Sequence, residues 1–175
     1  RRSKVADLPF PPRFQWMDPT GSKLVVADAF ADKVAAFSLP DLRLVAVRSL
    51  PGHNVGGITL SPHEDELLFS HQTLNRYVPT TRPRVFWGSV MQNGLAGLKV
   101  DDLFDADQPQ NSHFGRRKHY PVGQSGKGAG EPGYLLFTKH GALMLAIRGT
   151  GEIAFSNSLN DEWVRIQVGK RPVAG

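Results

Sequence analysis

At 175 residues, 40% of them hydrophobic, with 18 Gly and 13 Pro, the chain has the composition of a folded, turn-rich domain and not of a disordered one. It has no cysteine, which excludes disulfides, thiolate metal sites, a cysteine nucleophile and the C-x-x-C-H attachment of c-type haem within these residues. No apolar run approaches the roughly 18 residues that span a bilayer, no signal-peptide pattern is present, and the net charge of +5 raises the question of an anionic partner.

The apolar segments are short, rich in Val, Ile, Leu and Phe, and punctuated by Gly, Pro, Asp and Asn, which predicts strands. In chain order the first four fall at Phe14–Met17, Lys23–Asp28, Lys33–Leu39 and Arg43–Leu50. A middle set follows, with a second strand ending near His71 and a third around Gly94–Val100. The last four are read at Tyr134–Phe137, Ala142–Arg148, Gly151–Asn157 and Glu162–Val168. The outermost alternates Val164, Ile166 and Val168 against Arg165 and Gln167, the pattern of a half-exposed strand, whereas the second strands are continuously apolar, as burial on both faces requires. No segment shows a sustained helical period.

These sets repeat. Asp18-Pro19-Thr20-Gly21-Ser22-Lys23-Leu24-Val25-Val26-Ala27 recurs as Ser61-Pro62-His63-Glu64-Asp65-Glu66-Leu67-Leu68-Phe69-Ser70, and one residue shorter as Thr138-Lys139-His140-Gly141-Ala142-Leu143-Met144-Leu145-Ala146. A period of about 40 to 50 built from four short strands signals β-propeller blades, each of which must stack on neighbours to bury its faces. The predicted fold is therefore all-β, a partial β-propeller of about three four-stranded blades at 12–50, 54–122 and 132–168, with 169–175 opening a next blade. Three blades cannot close a ring of about four to eight, so a larger ring is expected.

The run Leu50-Pro51-Gly52-His53-Asn54-Val55-Gly56-Gly57-Ile58-Thr59-Leu60-Ser61-Pro62, followed by Leu67 to Gln72, resembles the bacterial YVTN-type propeller repeats. Gly128-Ala129-Gly130-Glu131-Pro132 and Val168-Gly169-Lys170-Arg171-Pro172 are similar to the blade-start turns of that family. The His71-Gln72 strand end, the segment from Thr80 to Gly88 and the Gly-Ala-Gly-Glu-Pro turn resemble propellers that precede a cytochrome c peroxidase-like domain in exported bacterial proteins. That resemblance implies a periplasmic or extracellular location and haem in a further domain, with no cofactor in these residues.

Insertions mark the middle blade. About twenty residues, Gln72 to Gln92, lengthen its second-to-third connection, and Gly123 to Glu131 lengthens the link to the next inner strand. Both connections emerge on one face of a propeller, and added loop mass on one face of a rigid scaffold is how a repeat protein builds a contact surface. Asp101 to Gly115 lengthens the opposite face. Around the first insertion, His71, Arg76 and Trp87 are candidate binding residues. The repeat register places Asn54, Glu131 and Arg171 at one equivalent position just before the innermost strands, with His53 beside Asn54, so these four are candidates for a polar cluster at the channel rim. The alternative for them is a turn role.

Other chemistry is thinner. The six histidines form no HExxH or paired-ligand spacing, and Gly123 to Gly130 lacks the first Gly and the Ser/Thr of a phosphate loop. Ser38 and Ser156 recur at equivalent places, which reads as blade architecture, and no nucleophile elbow exists. The basic residues are scattered along the chain, and the densest run, Arg116 to His119, has only Phe114 and Tyr120 as aromatic neighbours, so nucleic-acid binding is not expected. An acidic partner or an anionic envelope surface matches the charge better. Three functions follow: a non-catalytic binding scaffold that recognises a protein partner or small ligand through the loops of the second blade, the propeller of a haem-containing redox protein, and a hydrolase using calcium held by Asn54, Glu131 and their equivalents.

Overall fold

Asp18, Ser61 and Thr138 begin the same turn three times over. Asp18 N–H donates to Lys23 O at 3.0 Å, Ser61 N–H to Glu66 O at 2.8 Å and Thr138 N–H to Ala142 O at 2.8 Å. In the first copy Asp18 Oδ1 accepts from Ser22 N–H at 2.7 Å and Lys23 N–H at 2.6 Å, and in the third Thr138 Oγ1 accepts from Ala142 N–H at 3.1 Å. Short side-chain acceptors that close their own turn are the physical reason for Asp18 and Thr138 at these points. The missing residue of the third copy is absorbed within the turn.

The structure, a computed structural model, describes residues 5–62, 65–107, 118–124 and 126–173. His63 and His113, Phe114, Arg116 and Arg117, and most of the 101–115 extension lie outside the described residues. Among the described residues the turns join twelve strands in three four-stranded antiparallel sheets. Blade 1 holds β1 (Pro12–Met17), β2 (Lys23–Asp28), β3 (Lys33–Ser38) and β4 (Arg43–Ser49); blade 2 holds β5 (His53–Leu60), β6 (Glu66–Leu74), β7 (Met91–Lys99) and β8 (Lys118–Pro121). Blade 3 holds β9 (Pro132–Phe137), β10 (Leu143–Ile147), β11 (Glu152–Ser156) and β12 (Val164–Gln167), each blade pairing its strands in sequence order. The fold is that of partial propeller blades. Two one-turn helices, α1 (Arg82–Phe86) and α2 (Val100–Phe104), sit in the connections, too short for any period to have shown in the sequence. No helix among the described residues is long and apolar enough to cross a membrane.

Blade 2 is clamped on both faces. Leu67 and Phe69 of β6 pack with Val25, Ala27 and Leu50 of blade 1, whereas Leu68 packs with Leu135, Leu143 and Leu145 of blade 3. This is why β6 reads as an uninterrupted apolar run. Gly56 and Gly57 let the inner strands meet, because a Cβ on either would strike the backbone of Pro132 and Gly133 or the side chain of Leu135. Ser70 Oγ then donates to Gly133 O at 2.6 Å, a buried bond that pins β6 to β9.

Blade 3 departs from the alternation expected of its outer strand. Val164 and Ile166 are each 52% exposed, while the side chain of Arg165 is nearly buried, donating to Gly128 O at 3.0 Å and Val122 O at 2.8 Å. The face that carries Val164, Ile166, Tyr134 and Leu136 has no sheet stacked on it among the described residues, so its apolar side chains stay open. The other face packs on the link from β8 to β9, where Val122 and Ala129 are buried and Trp163 Nε1–H donates to Pro121 O at 3.2 Å. This link, read as an enlarged loop, is thus tied down at both ends.

Candidate partner-binding surface

Strand direction sorts the connections between two ends of the blades. The upper end, where inner strands begin and second strands finish, carries every candidate residue; the turns that begin at Asp18, Ser61 and Thr138 lie at the lower end.

At the upper rim, Asn54, Glu131 and Arg171 share a left-handed backbone, with φ of 52°, 56° and 51°. Their position in the repeat is a tight bend into the inner strand, a local demand that accounts for a turn role. Pro11, the equivalent in blade 1, cannot adopt that φ. Side chains add different things at each. Asn54 Nδ2–H donates to Gln72 Oε1 at 2.9 Å, and Gln72 Nε2–H donates to Asn93 Oδ1 at 3.0 Å, an amide ladder that crosses from β5 over β6 to β7. Glu131 and Arg171 form a solvent-exposed ion pair at 3.8 Å. The rim groups therefore pair with their neighbours, and the register brings Glu131 and Arg171 together while Asn54 belongs to the blade 2 ladder. Gln72, quoted above only within the His71-Gln72 strand end, and Asn93, which the sequence did not single out, complete that ladder.

His53 opens β5, half-buried and opposite Gln72 in the ladder. His71 is fully buried on β6, its Nδ1 edge against Gly52, where a Cβ would collide with the ring, and its Nε2 has no hydrogen-bond partner. His119 on β8 leans over Gly94 with its ring centroid 5.7 Å from that of His71. Burial pulls the His71 pKa down to about 4, and the neighbouring His119 and His53 add to the effect against a hydrogen bond to the Gln72 backbone that opposes it. His119 is lowered too, by burial. His71 is therefore a neutral wedge in the blade, not an exposed ligand.

Arg76 and Trp87 stand on a different object. β6 runs to Leu74, three residues beyond the expected end, and β7 begins at Met91, so the connection is residues 75–90, closed at its neck by Asn75 N–H donating to Val90 O at 2.8 Å. Within this arm Pro83 sits in the first turn of α1, a position that suits its fixed φ and missing N–H. No residue from 74 to 92 is buried. Tyr77 is 87% exposed, Trp87 65% and Phe86 62%, the last two edge to face at 5.4 Å. Arg76, Arg82 and Arg84 are interleaved with them, and no acidic residue occurs between Glu66 and Asp101. Phe86, Tyr77, Arg82 and Arg84 escaped notice in the sequence, where that acid-free stretch is the signal that could have found them. An ordered, exposed set of aromatic and arginine side chains is the composition of an interaction hot spot.

No protein-family model matches the chain, and no curated relative matches it by sequence. Solved structures do. Hydrazine synthase of Kuenenia stuttgartiensis superposes with a TM-score of 0.65 at 18% identity, over 82% of this chain and 39% of that one. A candidate 6-phosphogluconolactonase of Bacteroides fragilis gives 0.54 at 19% identity over 91% and 40%, and one of Bacteroides uniformis 0.55 at 19% over 97% and 44%. The chain thus spans about two fifths of the length of these structures. At such identities the likeness shows the β-propeller fold and no activity.

Proposed function

We propose that the protein is a non-catalytic binding scaffold of the YVTN-type propeller class, located in the periplasm or outside the cell, whose upper end recognises a partner through the arm of blade 2. The observation that carries this reading is the arm itself: an ordered sixteen-residue extension, 75–90, with aromatic and arginine side chains in solvent and none of its residues buried. A surface so apolar costs solubility, and a contact that covers it offsets that cost. The rim supports a hydrolase less well, because the Glu131 carboxylate faces Arg171 at 3.8 Å and the Asn54 amide bonds to Gln72, leaving these groups spent on each other. The alternative reading, a docked haem domain, rests on the resemblance of the Thr80–Gly88 segment of this arm to peroxidase-associated propellers.

Site-directed photo-crosslinking in the native host tests the reading. A photoreactive residue at position 77 or 87 is expected to give discrete adducts, and one at position 20, on the lower end, none above background. Equal labelling at all three positions sinks it.

A further inference from the structure

The basic residues that look scattered along the chain are sorted in space. Among the described residues, the connections at the upper end carry five basic side chains, three of them on the arm, against two acidic ones, Asp32 and Glu131, and Lys170 and Arg171 follow β12 at the same end. Those at the lower end carry nine acidic side chains and one lysine, Lys139, with Lys23, Arg43, Lys99 and Lys118 at the strand ends beside them. Four of the nine acids, Asp101, Asp102, Asp105 and Asp107, belong to α2 and the residues just after it. The described residues thus form a dipole along the strand direction, and its positive end bears exposed aromatic groups, those of the arm and, on the blade 1 connection, Phe30, 69% exposed.

Resting on the reading of the arm as a contact surface, we infer that the partner is an anionic phospholipid bilayer, met end-on. A whole-molecule dipole orients a protein toward an extended charged plane, where a single acidic pocket on another protein would need only a local patch. Trp, Tyr and Phe settle at headgroup depth, and arginines among them reach lipid phosphates. No residue of the arm is buried, so a deformable surface can take up its side chains without a complementary pocket. Tyr77, Phe86 and Trp87 enter the headgroup layer; Arg76, Arg82 and Arg84 hold the phosphates. The acidic lower end is repelled and faces away.

The test is co-flotation of the intact protein with vesicles of phosphatidylcholine alone or mixed with phosphatidylglycerol, read together with quenching by brominated lipid of the tryptophan emission that a Trp87→Phe variant lacks. Binding is expected at least about ten-fold tighter to the anionic vesicles and weakened by salt. The triple variant Arg76→Ser, Arg82→Ser, Arg84→Ser is expected to lose about 100-fold, taking a factor of about five per basic residue. Phe86→Ser with Trp87→Ser is expected to lose binding while leaving the fold intact, and Asp101→Ser with Asp102→Ser to leave binding unchanged or tighter. Absence of flotation with anionic vesicles, or arm variants that float as well as the parent, overturns the inference. Protein adducts from position 87 without vesicle binding overturn it while leaving the contact reading standing; no adducts of either kind overturn both.

Discussion

One hairpin of this protein lives under two physical regimes. From Leu67 to His71 every residue of β6 is 0% exposed, pressed between two neighbouring sheets; a few residues on, from Leu74 through the arm, not one is buried. The ladder is continuous across the boundary, with His71 opposite Gly94 and Leu74 opposite Met91. Backbone pairing therefore does not separate the regimes. What changes is the presence of a blade on either side: where neighbours exist the apolar side chains hold the fold, and where the hairpin outruns them the same kinds of side chain become a surface. The fold and the contact are built from one element, and mutations should tell them apart.

The largest expected contrast is between two phenylalanines. Phe69→Ala removes a ring from the packed interface of blades 1 and 2 and should cost about 3 to 5 kcal/mol, the range for deleting a fully buried aromatic. Phe86→Ala, on the arm, should change stability by no more than about 0.5 kcal/mol. Urea midpoints of the two variants measure both, and comparable losses would mean that the arm is packed in solution.

Much of the body was legible in the sequence because repetition carries it. The turn acceptors Asp18, Ser61 and Thr138 recur at fixed register, and the run Leu67-Leu68-Phe69 has no polar break, so blades and their stacking follow from turn chemistry and burial. The equivalence of Asn54, Glu131 and Arg171 was legible for the same reason, although their shared left-handed φ is a backbone property that only coordinates display. The arm was visible as an insertion but not as a surface, because exposure depends on what packs nearby. The charge dipole was hidden most completely. Antiparallel strands send alternate connections to opposite ends, so Arg76 to Arg84 and Asp101 to Asp107, close in the chain, end up on opposite sides of the molecule. Val164 and Ile166 mislead for a related reason: an alternating strand tells which residues share a face, not which face has a neighbour.

A second contrast is set by pH and should be of the order of 3 kcal/mol. The folded-state pKa of His71 is lowered to about 4 from its ordinary 6.5, so between these values the unfolded chain takes up a proton that the folded chain refuses. Stability contributed by the neutral imidazole is complete above about pH 6.5 and is lost as pH falls toward 4. His119, also lowered, deepens the same loss. Denaturation of the parent at pH 7.5, 5.5 and 4.5, beside a His71→Leu variant, isolates the effect. The variant should show a flatter pH dependence; an unchanged slope would assign the titration to other groups. The arm has no comparable buried base, so its exposure should not follow this window.

The smallest expected effect is the most informative about the arm. Replacing residues 75–90 with Asn-Gly would join Leu74 to Met91, which already face each other in the ladder, through a two-residue turn suited to antiparallel strands. The excision removes no buried residue and shortens a loop, which lowers the entropy of closing it by about 2 kcal/mol at most. Stability should hold or rise slightly, measured by urea midpoint, since the bonds lost, from Asn75 to Val90 at the neck and those such as Val78 to Asn75 and Ser89 to Arg84 inside the arm, are internal to the excised segment. A fall of more than about 2 kcal/mol would show that the arm supports blade 2 through contacts on which its exposure depends, and would move Trp87 and its neighbours from the contact surface to the fold. Retained stability with loss of the position-specific contact leaves the division where the burial pattern puts it, at the end of β6.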